Sequence, residues 1–151
     1  MREVPSKFAY GLAEAAVAAS RSKDPSTQVG AAVFDRSGRI VSKGYNGMPE
    51  GIEETPELWE KPLKYDWVIH AEVNAIANAA RTGASTLGGR MFITIPPCLD
   101  CAKSIVAAGI SEVFYPGDVA KEWQARSPQW EESIAKALYF LETCNVRTFA
   151  L

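Results

Sequence analysis

Met91-Phe92-Ile93-Thr94-Ile95-Pro96-Pro97-Cys98-Leu99-Asp100-Cys101 is the stretch that decides how this chain folds. Its first half is a short, nearly continuous apolar run, the pattern of a central strand covered on both faces. Pro96-Pro97 ends that strand, and the apolar positions that follow, Ile105 and Val106 ahead of Gly109, keep helical spacing. Both cysteines therefore stand at a strand-to-helix joint, in the first turn of a helix expected over residues 98–108.

Outward from this joint the alternation continues. Residues 70–81 predict a helix with Val73, Ile76, Ala77 and Ala80 on one apolar face, stopped by Gly83. Downstream, residues 112–115 read as a strand, Pro116-Gly117-Asp118 as a turn, and residues 128–143 as a helix whose Ile134, Ala137, Leu138 and Leu141 share a face. Residues 146–151 give a last strand. Near the start, Phe8, Leu12, Ala15, Ala16 and Ala19 recur at helical spacing over residues 6–20, and Ser22-Lys23-Asp24-Pro25 turns the chain. Residues 28–35 and 40–44 then form a hairpin closed by Arg36-Ser37-Gly38-Arg39. The order α-β-β-α-β-α-β-α-β predicts an α/β protein, a three-layer α-β-α fold around a mixed sheet of about five strands.

Tyr45-Asn46-Gly47-Met48-Pro49 opens a polar, acidic segment that runs to about residue 66, long for a compact domain. It reads as a substrate-covering or effector-binding loop, with Trp59, Tyr65 and Trp67 as anchors that pack it on the body.

The 151 residues suit one domain, 1–151, with 47% hydrophobic and 23% charged residues and no low-complexity run. A net charge of -2 gives no field that gathers phosphate backbones, so no nucleic-acid partner is expected. Without a basic, apolar leader or a membrane-length apolar run, the expected place is the cytoplasm, away from membranes. There, the close spacing of Cys98 and Cys101, with Cys144 left over, fits a metal site better than a disulfide framework.

The metal reading turns on His70-Ala71-Glu72, which holds the chain's one histidine. One imidazole and the thiolates of Cys98 and Cys101 make a set that leaves a tetrahedral Zn²⁺ with a fourth position for water. Both helix N-termini then converge on the metal, where dipole and cation favour thiolate over thiol. Glu72 is left as the group that takes a proton from water and passes it to a ring nitrogen and a leaving amine. The order H-x-E followed by P-C-x-x-C is the signature of zinc-dependent nucleobase deaminases, so the reaction class is hydrolytic deamination.

The motifs together resemble the deoxycytidylate deaminase family of the cytidine deaminase-like superfamily. The resemblance runs through Ser22-Lys23-Asp24-Pro25, Gln28-Val29-Gly30-Ala31, Gly44-Tyr45-Asn46-Gly47-Met48-Pro49, His70-Ala71-Glu72 with Asn74-Ala75-Ile76, and Pro97-Cys98 with Cys101-Ala102-Lys103. It implies zinc on His70, Cys98 and Cys101, proton transfer by Glu72, and substrate contacts from Asn46 and Ala71. It further implies conversion of dCMP to dUMP for thymidylate synthesis, dCTP (with Mg²⁺) as activator, dTTP as inhibitor, and a homo-oligomer, a hexamer. Two departures stand out. No further histidine is present for the second, structural zinc of some members, so one zinc per chain is expected. The stretch where members often carry an aromatic reads Gly117-Asp118-Val119-Ala120-Lys121-Glu122-Trp123, leaving Lys121 and Arg126 as phosphate candidates by charge and position.

Rival readings are a deaminase of another cytosine nucleotide, a tRNA adenosine deaminase, and a non-catalytic zinc module. The acidic chain, ending in Arg147-Thr148-Phe149-Ala150-Leu151, lacks the basic tail that grips RNA. A closed structural site needs a fourth ligand, which only Cys144 or a carboxylate can supply.

Overall fold

A computed structural model describes residues 1–126 and 128–151. Five strands form one mixed sheet in the order β2-β1-β3-β4-β5: β1 Gly30–Phe34, β2 Ile40–Tyr45, β3 Arg90–Ile93, β4 Glu112–Tyr115 and β5 Arg147–Ala150. The first two pair antiparallel as the expected hairpin, β1 is also antiparallel to β3, and β3, β4 and β5 run parallel. Side-chain alternation then sorts the core onto two faces. Val33, Met91, Ile93 and Val113 point to one cluster, and Ala32, Phe34, Phe92 and Phe114 to the other.

Helix α1 (Lys7–Ala19) covers the second face, over a row of rings laid across neighbouring strands. Phe92 stacks on Phe114 at 4.7 Å and Phe114 on Phe149 at 4.7 Å. Such pairs add about 0.5–1.5 kcal/mol each beyond the area they bury. The face of α1 turned inward is Gly11, Ala15, Ala18 and Ala19. Ala16, expected inside, is exposed, and Phe8 is half-exposed while its ring still reaches Phe114 at 5.2 Å.

Helices α3 (Ala71–Thr82), α4 (Leu99–Ala107) and α6 (Pro128–Thr143) supply the apolar cluster on the opposite face. In α3 the buried positions are Ala71, Ala75 and Ala79 at i, i+4, i+8, with Ile76 partly buried beside them. Ala77 and Ala80, expected on that face, are exposed. The cause is a close backbone approach: a Cβ on Gly44 of β2 would lie 2.4 Å from the Ala71 carbonyl oxygen and 2.3 Å from the Ala75 nitrogen. Only small side chains fit a helix seated this low on a strand. Gly83 ends α3 in the left-handed region, with φ of 70°.

Two segments differ from the sequence reading. Pro116-Gly117-Asp118 does not merely turn the chain, because Gly117 opens a helix, α5 (Gly117–Arg126), whose Ala120 and Trp123 are buried three residues apart. The long segment after β2 contains one 3-10 turn, Pro56–Trp59, and a short helix α2, Lys64–Trp67. Trp59 is half-buried, but Tyr65 and Trp67 are 60% and 44% exposed, so these two do not anchor it. Among the described residues no helix is long and apolar enough to cross a membrane.

Candidate active site

The parallel strand β3 delivers the chain through Pro96-Pro97 to Cys98, the N-cap of α4, and Cys101 follows in the first turn. His70 is likewise the N-cap of α3. Imidazole and thiol are poor caps, and neither makes a capping bond, so the two side chains are left to face one another. His70 is also tied to the end of β2, because Gly47 and Ile69 exchange backbone hydrogen bonds of 3.1 and 2.9 Å. The sheet thus fixes the imidazole from one side and the thiols from the other.

Nδ1 of His70 lies 3.3 Å from the Cys101 sulfur and 3.6 Å from that of Cys98. All three donor atoms lie within 4.8 Å of one another. Ligands of a tetrahedral zinc, bonded at about 2.0–2.3 Å, stand roughly 3.5–3.8 Å apart, so this set fits that ion. Protonation supports the same fit. The Cys98 thiol is pulled down to about 4 by the Cys101 S–H, with help from the His70 ring and against burial. Cys101 is pushed up by the same contact and by burial, since ionising it would set two thiolates together. The Cys98 sulfur in turn raises His70. A divalent cation at this point lets both sulfurs ionise.

Glu72 sits in the first turn of α3, beside these donors and 4% exposed. Burial pushes its carboxyl up, against its own backbone N–H and the His70 ring, which pull it down. Beyond it opens a cleft of about 290 Å³ lined by His70, Glu72, Cys98, Ala71, Asn46 and Arg126, among others. Five of the expected site residues besides Cys101 therefore meet there with Arg126. Lys121 does not: it is exposed on α5 and lines no part of the cleft.

A second polar cluster forms one wall. Nζ of Lys64 lies 3.0 and 2.9 Å from the two carboxylate oxygens of Asp24, and both side chains are buried. Burial alone would raise the Asp24 carboxyl, but hydrogen bonds from the Ser26 backbone, Lys64, the Ser26 hydroxyl and the Thr27 backbone outweigh it and hold the group low. Asn46 completes the cluster. Its Nδ2 donates to Asp24 at 3.3 Å and to the Thr27 carbonyl at 2.9 Å, while its Oδ1 accepts from Val29 at 2.8 Å. Both amide hydrogens are spent on the protein, which leaves the second lone pair of Oδ1 for a ligand donor.

Further lining comes from Lys61 and Tyr65 of the long segment and from Trp123 and Trp130 of α5 and α6. Sequence reasoning missed these and Lys64. Lys64 carries no local signal, since its partner Asp24 is 40 residues away. The Ala120–Trp123 spacing was the available sign of α5.

Comparison with known proteins follows the same map. The family model described as "Cytidine and deoxycytidylate deaminase zinc-binding region" matches residues 5–116. The chain is 38% identical to the deoxycytidylate deaminase of Mus musculus over 146 residues, covering 93% of this chain and 78% of that one. It is 42% identical to the Homo sapiens deoxycytidylate deaminase over 115 residues, covering 72% and 64%. The chain thus spans less than two thirds of the human relative's length. Among solved structures it is similar to the dCMP deaminase of cyanophage S-TIM5 in apo form, with TM-score 0.71, 26% identity and 94% of both chains covered. The same cyanophage protein in complex with dCMP and dUMP matches with TM-score 0.63, 26% identity and 91% and 88% covered.

Proposed function

Because the chain belongs to the cytidine and deoxycytidylate deaminase family, we propose that it hydrolyses the exocyclic amine of a cytosine nucleotide, converting dCMP to dUMP and ammonia. The observation that carries this reading is Glu72, a buried carboxyl at the edge of an open cleft and beside three metal-type donors. The deoxycytidylate deaminases of mouse and human and the dCMP-bound cyanophage structure support the choice of substrate.

His70, Cys98 and Cys101 would hold one zinc per chain. When bound, zinc supplies a Lewis acid that lowers the pKa of a water in its fourth position to about 7. Glu72 accepts a proton from the attacking water and delivers it to the ring nitrogen and then to the departing amine. Its burial suits that work, since a carboxyl pushed toward protonation can both take and return a proton. Ala71 lines the cleft at the N-terminal turn of α3, where backbone N–H groups have no partner within the helix and can hold the pyrimidine carbonyl. Asn46 accepts from a sugar hydroxyl through the free lone pair of Oδ1, and the Asp24–Lys64 pair holds that amide in place.

The segment after Asn46 puts Lys61, Lys64 and Tyr65 into the cleft lining. By the family resemblance, dCTP with Mg²⁺ acts near the segment after Asn46 as activator and dTTP as inhibitor, in a cytoplasmic hexamer that provides dUMP for thymidylate synthesis.

The test is ammonia release by zinc-loaded protein from dCMP, dCTP, deoxycytidine, CMP and adenosine-containing RNA, with and without dCTP and dTTP. Selective turnover of dCMP is expected. Zinc-bound, folded protein that turns over none of them would overturn the deaminase reading in favour of a binding module, and turnover of the RNA would move it to a tRNA adenosine deaminase.

A further inference from the structure

Among the described residues, Lys61, Lys64 and Arg126 are the lysine and arginine cations that line the cleft, and they are not equivalent. Lys64 is committed to both oxygens of buried Asp24 and to Ser26, so its charge is already neutralised inside the protein. Arg126 is held differently. Its guanidinium lies 4.2 Å over the ring of Trp123, which is 8% exposed and meets Trp130 edge-on at 5.1 Å. Among the described residues it makes one ion pair, Nη2 to Glu122 at 2.9 Å, between two exposed side chains. Exposed pairs of this kind contribute little, and a guanidinium has five N–H donors, so a dianion can be taken up without a buried group losing its partner.

The substrate reading supplies the dianion. A phosphate monoester needs a cation whose charge no buried carboxylate already balances, which Lys64 cannot supply. We infer that Arg126, laid flat on Trp123 and joined by Lys61 from the segment after β2, reads the 5′-phosphate and makes the substrate a nucleotide rather than a nucleoside. This rests on the deaminase reading above. Stacking fixes the plane of the fork, so the site asks for arginine and not only for positive charge. It also accounts for the helix inserted after β4: α5 carries Trp123 and Arg126 one turn apart, and both line the cleft.

The test compares wild type, Arg126→Gln, Arg126→Lys and Lys121→Gln in zinc-loaded protein, with two readouts. Binding of dUMP is followed by tryptophan fluorescence, and kcat and KM are measured on dCMP and deoxycytidine. Arg126→Gln is expected to weaken dUMP binding about 10- to 100-fold, to raise KM for dCMP by a similar factor, and to shrink the dCMP-over-deoxycytidine preference accordingly. Arg126→Lys recovers part of the loss, and Lys121→Gln, exposed on the same helix outside the cleft, behaves as wild type. An unchanged preference in Arg126→Gln, or an equal loss on both substrates, overturns the assignment. Wild-type protein that binds dUMP through Arg126 but releases no ammonia leaves the phosphate assignment standing and sinks the deaminase reading, whereas failure to bind dUMP at all sinks both.

Discussion

Glu72 and Asp24 line the same cleft and are each 4% exposed, yet their carboxyl groups are pushed in opposite directions. Desolvation is the largest influence on both and raises both. What separates them is the supply of donors. Asp24 collects two backbone N–H groups, a hydroxyl and an ammonium, and stays charged, while Glu72 has its own backbone N–H, the His70 ring and a sulfur beside it. Burial therefore does not decide which carboxylate keeps its charge here; the donors around it do. Asp24 is held as a fixed charge that organises Asn46 and Lys64, and Glu72 is held where it can exchange a proton.

Glu72→Gln strikes that contrast hardest. The amide keeps the shape and loses the exchangeable proton, so ammonia release from dCMP is expected to fall about 10³- to 10⁴-fold, with zinc still at one per chain by elemental analysis. Near wild-type turnover would remove Glu72 from the chemistry. Lys64→Met comes next and acts on architecture. Taking one partner from a buried pair strands the other charge, at a cost of about 3 kcal/mol, the low end of the usual range because the pair borders an open cleft. The readout is the urea midpoint at pH 7. Asp24→Asn combined with Lys64→Met should recover part of the loss, and the single variant should affect KM more than kcat. A wild-type midpoint in Lys64→Met would show that the pair does not organise the wall.

The two carboxylates were also unequally legible in the sequence. Glu72 stands two positions from the one histidine, and the cysteines lie three apart beside a strand that only an apolar run could make. Those side chains are local signals at helix starts, and the structure brings the His70 nitrogen within 3.3 and 3.6 Å of the two sulfurs. The strand over residues 112–115 and the helix over residues 128–143 were placed to the residue for the same reason. Asp24 read as part of a turn because its partner Lys64 sits in a polar stretch without periodicity. The inward face of α3 was misassigned because Val73 and Ile76 outrank alanine on any hydrophobicity scale, whereas Gly44 brings the helix so close that only alanines fit. Helix α5 was lost behind Pro116-Gly117, a pair that ends a strand as readily as it starts a helix.

A milder test is pH. Asp24 is held below the value of about 3.9 that an unfolded chain gives it, so its contribution to stability is complete above that value and is lost as pH falls through the lower, folded one. Thermal melting between pH 6 and 3 should therefore show wild type losing stability below about pH 4 faster than Asp24→Asn combined with Lys64→Met, which has no carboxyl at that position to titrate. Parallel curves would mean that the depressed carboxyl contributes nothing to acid stability.

The smallest effect is expected at Cys144, and it bears on whether Glu72 has anything to act on. Cys144 follows α6, half-buried, with its backbone N–H bonded to the Phe140 and Leu141 carbonyls at 3.0 and 3.1 Å. Among the described residues, the one grouping able to hold a metal is His70, Cys98 and Cys101, without it. Cys144→Ser should leave both zinc content and turnover of dCMP at wild-type levels. Loss of zinc would mean that a third thiolate closes the site as the fourth ligand, and a closed tetrahedral zinc has no place for a water that could give Glu72 its proton.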